Sequence, residues 1–121
     1  AKELKQEIFN KYSAAFSRCK NIKLLEVKDH NSVNWHLFPI RVNENIRSSV
    51  FKDLREASIG VQVNYIPAYW HPAFRDLGYQ RGLCPEAEKF YAEEISLPIY
   101  PNLSNKEVDY IIDTVIRVLK C

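Results

Sequence analysis

Within residues 2–18 the apolar positions Leu4, Ile8, Phe9, Tyr12, Ala15 and Phe16 recur at intervals of three and four, which lines them along one face of a helix. Lys5, Glu7, Lys11 and Ser13 fall on the other face. Residues 22–28 predict a short strand and residues 33–42 a longer one. Between them Asp29, His30, Asn31 and Ser32 supply side chains that bond their own backbone in turns, so a hairpin is expected. Val33, Trp35 and Leu37 share one face of the longer strand, and Phe38, Ile40 and Val42 the other. Apolar residues on both faces predict burial on both sides. Pro39 has no N–H to donate and calls for a bulge or an edge there.

Residues 46–57 read as a second amphipathic helix, with Ile46, Val50, Phe51, Leu54 and Ala57 facing inward. Val61, Val63 and Tyr65 then alternate with Gln62, Asn64 and Ile66, the period of a strand, which Pro67 ends. From 67 to 84 the period fails. Residues 71–77 predict one or two helical turns closed by Gly78, and Gly82 marks another break. Pro85, with Glu86 and Glu88 behind it, suits the start of a helix over 84–94, expected to carry Phe90, Tyr91 and Ile95 inward.

Residues 96–104 are the most tightly specified stretch. Leu97 and Ile99 alternate as in a strand, Pro98 predicts an edge position, and Pro101 stops the pairing. Ser104 and Glu107 form a capping-box pair, and Leu103 can staple onto Val108. The final helix over 105–119 buries Val108, Ile111, Ile112, Val115, Val118 and Leu119. This order predicts an α+β fold, a small, mostly antiparallel sheet covered on one side by helices.

At 121 residues the chain, 1–121, reads as a single domain with room for a core. Its 46% hydrophobic and 26% charged residues are ordinary for a globular protein. No apolar run reaches the length of a membrane helix, and the charged N-terminus does not resemble a signal peptide. A net charge of +2, with basic residues scattered among acidic ones, excludes a nucleic-acid stripe. A start at Ala1 with no Met anywhere leads us to expect a processed or excised chain. Cys19, Cys84 and Cys121 are odd in number and widely spaced, giving neither a disulfide framework nor a zinc pattern. They read as free thiols in a reducing compartment, so a cytoplasmic location is expected.

Catalytic motifs are scarce. The three glycines form no phosphate loop, and no nucleophile elbow occurs. His30, His36 and His71 show no metal-ligand spacing, so no metal site is expected. Cys84 at a helix start could be activated as a thiolate or be an unreactive cysteine at a boundary, and no orienting third group accompanies it and His71. One region reads as recognition: residues 64–79, with Asn64, Tyr65, Tyr69, Trp70, His71, Arg75 and Tyr79. Aromatics in an irregular segment suit a binding surface; equally they suit a loop that plugs the end of the sheet.

Four runs carry a resemblance: His36-Leu-Phe-Pro-Ile-Arg41, Gly60-Val-Gln-Val-Asn-Tyr-Ile-Pro67, Cys84-Pro-Glu-Ala-Glu88 and Ile95-Ser-Leu-Pro-Ile-Tyr-Pro-Asn-Leu-Ser104. In order, and along nearly the whole chain, they resemble the C-terminal domain of the DegT/DnrJ/EryC1/StrS sugar aminotransferases. The Ile-Pro-Ala-Tyr-Trp-His-Pro loop and the Leu-Gly-Tyr-Gln segment are most similar to the branch that aminates a UDP-linked 4-keto-6-deoxy amino sugar in pseudaminic acid biosynthesis. The resemblance implies the small domain of a fold-type I, aspartate-aminotransferase-like enzyme that uses pyridoxal phosphate and takes glutamate as amino donor. It also implies that the Schiff-base lysine, the acid on the pyridine nitrogen and the phosphate-binding groups belong to a large domain absent from these residues. The chain alone is therefore expected to be inactive, with no catalytic residue and no bound cofactor of its own. Its implied partners are the large domain, a dimer partner, the UDP-sugar and glutamate. Asn64, Tyr65, Tyr69 and His71 are the implied substrate-binding residues. The family usually has a histidine where Asn64 stands, and Asn can hydrogen-bond but not titrate near neutrality. Residues 96–104 would wall the cleft behind the site. The alternative reading is a stand-alone, non-catalytic module on the same fold.

Overall fold

Phe38 is the side chain on which helix and sheet meet. The computed structural model describes residues 2–25 and 37–121. Within them run α1 (Lys2–Phe16), β1 (Lys23–Leu24), β2 (Leu37–Arg41), α2 (Glu44–Glu56), a 3-10 turn (Ala68–Trp70), α3 (Pro72–Arg75), α4 (Pro85–Glu93), β3 (Glu94–Pro98) and α5 (Asn105–Leu119). The strands lie in the order β1-β2-β3 and pair antiparallel throughout. The architecture is the α+β arrangement that the sequence implies.

Both strand prolines are accommodated by register. Val42 N–H donates to Glu93 O at 3.0 Å, and every second pair repeats that arrangement. Phe38 and Ile40 therefore bond toward Leu97 and Ile95, while Pro39, opposite Ser96, turns its donorless nitrogen toward β1. β1 stops at Leu24, opposite Ile40, one residue before it would meet Pro39. Pro98 likewise turns away from β2, at the last pair of the ladder.

Alternation gives the sheet two unlike faces. Phe38, Ile40, Ile95 and Leu97 form an apolar face, all at 3% exposure or less. Phe38 meets Phe9 and Tyr12 of α1 edge-on, ring centroids 5.1 Å away in both cases, and Phe16 at 6.4 Å. Tyr12 donates its hydroxyl to Pro98 O at 2.8 Å, and its burial holds the phenol well above its ordinary pKa. The opposite face of β3 carries Glu94 and Ser96, polar and also buried. Buried polar side chains are the informative exception in a core.

The helix starts follow their sequence signals. Asn43 caps α2 by accepting from Asn45 N–H at 2.8 Å. Ser104 and Glu107 complete both halves of the capping box on α5, at 3.1 and 3.0 Å, and Leu103 and Val108 are both in the core.

Several expectations are corrected. On α1 Phe9, Tyr12 and Phe16 are buried against β2, but Leu4, which the spacing puts on the same face, is exposed. Ile46 is also exposed, because α2 begins at Glu44 and Ile46 lies in its first turn. Residues 61–65 form no strand: a single bridge joins Gln62 and Ser96, after which Asn64 N–H turns to the Glu94 side chain. Ile95 belongs to β3, since the chain extends at Glu94 and pairs at once.

Cys19 and Cys121 are joined in a disulfide, with Cα atoms 4.9 Å apart. Their separation of 102 residues is closed by packing of α1 against α5. Lys120 ends α5 in a left-handed conformation, Asn21 Nδ2 donates to Leu119 O at 2.8 Å, and the two helix ends meet. The free-thiol reading survives for Cys84 alone, which is exposed, and the thiol argument for a reducing compartment loses the other two. The 29–32 turn and the 33–36 part of the longer strand, with His30, Trp35 and His36, lie outside the described residues.

Candidate functional site

Between the Gln62 bridge and α4 the chain leaves the sheet and is held mainly by side chains. Two carboxylates do most of this. Glu94 accepts the Asn64 N–H at 2.7 Å. Its other oxygen takes the Ser96 hydroxyl. Burial pushes the Glu94 carboxyl above the usual range, opposed by the Ser96 and Asn64 hydrogen bonds and the Arg47 charge. Glu88, on the first turns of α4, accepts Gly82 N–H at 2.6 Å and the Tyr69 hydroxyl. The Tyr69 oxygen in turn accepts Cys84 N–H at 3.1 Å. The Tyr69 hydrogen bond lowers the Glu88 pKa, partial desolvation opposes it, and Gly82 adds to the lowering. Tyr69 itself is raised, by desolvation first and then by the bond to Glu88.

A series of cations and rings crosses from this segment to the helices. The Arg81 guanidinium lies 3.8 Å from the Trp70 ring centroid. Trp70 meets Tyr91 of α4 edge-on at 5.6 Å, and Arg47 of α2 lies 5.7 Å from Tyr91. Cations over aromatic faces are attracted by the ring quadrupole. Arg47 is also fixed by bonds to Tyr91 O at 2.8 Å and Glu94 O at 3.1 Å. On the outer side Tyr69, Trp70, Arg75, Tyr79, Gln80 and Arg81 line a groove of about 340 Å³. Gly78 and Gly82, at φ 95° and 92°, make the tight reversals that return the chain beneath it, conformations that favour glycine.

The four sequence-predicted residues do not share one cavity. Tyr69 lines the groove, but its hydroxyl is committed to Glu88 and Cys84. Asn64 is half-buried on the β3 side, and its Oδ1 has no partner among the described residues. Tyr65 projects into solvent at 77% exposure. His71 is exposed at the start of α3, where its carbonyl accepts from Phe74 and Arg75. Sequence reasoning missed Arg81, Glu88 and Glu94 as parts of this site. Glu88 was legible only as a helix-start acid, and no sequence signal pairs Asn64 with Glu94.

Cations, rings and amides can stack on a planar ring and pair with an anion, but they offer no amine for a carbonyl cofactor. No lysine lines the groove, and every lysine with a described side chain is exposed except the half-buried Lys5 on α1. The residues present do not fit the aldehyde end of pyridoxal phosphate. Among the described residues no cluster of His, Cys, Asp and Glu is arranged to hold a metal, and no helix is long and apolar enough to cross a membrane.

The chain as a whole has relatives among known proteins. The sequence profile described as the DegT/DnrJ/EryC1/StrS aminotransferase family matches residues 2–116. The spore coat polysaccharide biosynthesis protein SpsC of Bacillus subtilis is 32% identical, over 96% of this chain and 31% of its own length. The UDP-4-amino-4,6-dideoxy-N-acetyl-beta-L-altrosamine transaminase of Campylobacter jejuni is 29% identical, over 98% of this chain and 32% of its own. The putative sugar aminotransferase Spr1654 of Streptococcus pneumoniae, solved in its PLP form, superposes with a TM-score of 0.84 at 29% identity, covering 98% of this chain and 31% of that one. The chain thus spans about a third of the length of the proteins it matches, and it belongs to the DegT/DnrJ/EryC1/StrS aminotransferase family.

Proposed function

We propose that this chain is the small domain of a pyridoxal-phosphate transaminase that aminates a UDP-linked 4-keto-6-deoxy amino sugar, with glutamate as donor. In this reading the cofactor is held by a large domain outside these residues, and pairing with a dimer partner completes the enzyme. The cofactor, when bound there, supplies the electron sink for amino transfer; the chain described here contributes recognition. Taken by itself, residues 1–121 would not catalyse the reaction. A cytoplasmic site of action goes with the substrates, since nucleotide-linked sugars and free glutamate are pools of that compartment.

The observation that carries this reading is the Arg81–Trp70 stack beside Arg75, Tyr79 and Gln80. A guanidinium laid on an aromatic ring offers a planar surface on which a nucleobase can stack, and guanidinium groups suit the diphosphate that follows it. The likeness to the Campylobacter jejuni transaminase supports a UDP-linked substrate on the pseudaminic acid route. Asn64 and Tyr65 lie where the chain departs from the sheet, and we assign them to the sugar end, with Tyr69 and His71 flanking. The test is steady-state kinetics on the full-length protein with pyridoxal phosphate, glutamate and a UDP-linked 4-keto sugar. Asn64→Ala and Tyr65→Phe should raise the KM for the sugar nucleotide while leaving cofactor absorbance intact. Unchanged kinetics in both variants would remove them from the site. A saturable, glutamate-sensitive cofactor signal from residues 1–121 alone would contradict the division of labour.

A further inference from the structure

The least expected group in the described fold is Glu94, a carboxyl at 1% exposure on the first residue of β3. A buried carboxylate is unfavourable unless it is paired or well hydrogen-bonded, so what it binds shows what it does. No cation bonds to it among the described residues. Arg47, from α2, is the charge that faces it, but spends Nη1 on the backbone oxygens of Tyr91 and Glu94. Arg41, on the neighbouring strand, pairs with Glu93 at 2.7 Å. Glu94 instead takes Asn64 N–H on one oxygen and the Ser96 hydroxyl on the other.

The Asn64 bond occupies a singular place in the chain. Gln62 exchanges two backbone bonds with Ser96, at 3.1 and 2.7 Å. The next backbone–backbone bond donated from the chain beyond it is Trp70 N–H to Pro67 O, at 2.9 Å. Between these two points the Glu94 carboxylate is the one acceptor of a backbone N–H among the described residues. Tyr65, the next residue, is 77% exposed and has little packing to fix it. Its direction is therefore set largely by how firmly Asn64 is held.

We propose that Glu94 is a positioning residue: it touches no substrate, and by gripping the Asn64 N–H from inside the fold it sets the direction in which Asn64 and Tyr65 meet the sugar nucleotide. This rests on the functional reading above. Ser96 orients the carboxylate by bonding its second oxygen, and Arg47 keeps the start of β3 in place by bonding its backbone. Chemistry separates the possible replacements. Glutamine keeps an acceptor for Asn64 N–H and offers its NH₂ to the Ser96 oxygen; leucine is similar in bulk and offers neither.

The experiment compares Glu94→Gln and Glu94→Leu with the wild type in the full-length protein, using residue-resolved hydrogen exchange and steady-state kinetics with a UDP-linked 4-keto sugar. The Asn64 amide should be protected in the wild type and in Glu94→Gln, and should exchange as fast as Tyr65 in Glu94→Leu. The KM for the sugar nucleotide should rise about tenfold in Glu94→Leu. Glutamine should restore it to within a small factor, with kcat little changed in either variant. Equal Asn64 protection in all three proteins overturns the proposal, as does lost protection with an unchanged KM. Should Glu94→Leu fail to fold, Glu94→Gln paired with Ser96→Ala decides it: a rise in KM and faster Asn64 exchange in Ser96→Ala alone support the grip, and no change in either overturns it. A wild type that neither binds nor turns over the UDP-sugar overturns the functional reading and with it Glu94's role. That failure is distinct, because Asn64 exchange would still follow the order wild type, glutamine, leucine.

Discussion

The sheet with its helices and the segment that runs from Gln62 to Cys84 are built on different principles. In the first, backbone groups pair along β2 and β3, and rings from α1 close over Phe38. In the second, residues 71–84 are exposed throughout. Beyond its local turns, the segment is tied down where a carboxylate or a phenol reaches a backbone N–H and where Trp70 meets Tyr91 of α4. The framework owes its shape to apolar burial, which is insensitive to any one polar group. The outer segment owes its shape to a few polar bonds and ring contacts, each holding a residue or two. Such a division lets a family keep one scaffold while the outer segment adapts, because loop polar contacts can change without repacking a core.

Breaking the framework should have the largest effect. Phe38→Ala removes the ring that Phe9, Tyr12 and Phe16 surround, and a cost of about 3–5 kcal/mol is expected. It should appear in denaturant unfolding as a large fall in the midpoint. Opening the Cys19–Cys121 disulfide comes next, at about 2–4 kcal/mol from loop entropy returned to the unfolded chain. Thermal unfolding with and without reductant measures it. Before reduction, a thiol reagent should label Cys84 and neither of the other two.

The sequence made the framework readable because burial leaves a period. Ile8, Phe9, Tyr12 and Phe16, then Val50 and Leu54, then Val108, Ile111 and Val115 all lie in the core where their spacing puts them. Pro39, Pro98 and the Ser104–Glu107 box act locally, so their consequences were legible too. What was not legible depends on distance in the chain. The disulfide joins residues 102 apart, the Asn64–Glu94 bond spans 30 and the Tyr69–Glu88 bond 19, and none leaves a periodic trace. The alternation at 61–66 was a misleading signal: it has the period of a strand, but after Gln62 the neighbouring edge offers a side chain in place of a ladder. The candidate site was legible as a region, and the groups that hold it were not.

The smallest effects sharpen the contrast between the two carboxylates, because their pKa values move in opposite directions. Glu88 is lowered in the folded protein, so the unfolded chain binds its proton more readily. Its stabilisation is present above the ordinary carboxylate range and is lost as pH falls through the folded value. Glu94 is raised, so the folded protein holds the proton more tightly and stability declines as pH rises from the ordinary carboxylate range through the raised value. Melting temperature against pH should show Glu88→Gln flattening the acid limb and Glu94→Gln flattening the limb above it.

The division between framework and outer segment is tested most directly by peptide-level hydrogen exchange on the full-length protein with and without a UDP-linked 4-keto sugar. Added protection is expected within residues 62–84, with β2, β3 and α5 already protected and unchanged. Protection gained in α1 or α5 while residues 62–84 stay as they were would contradict it.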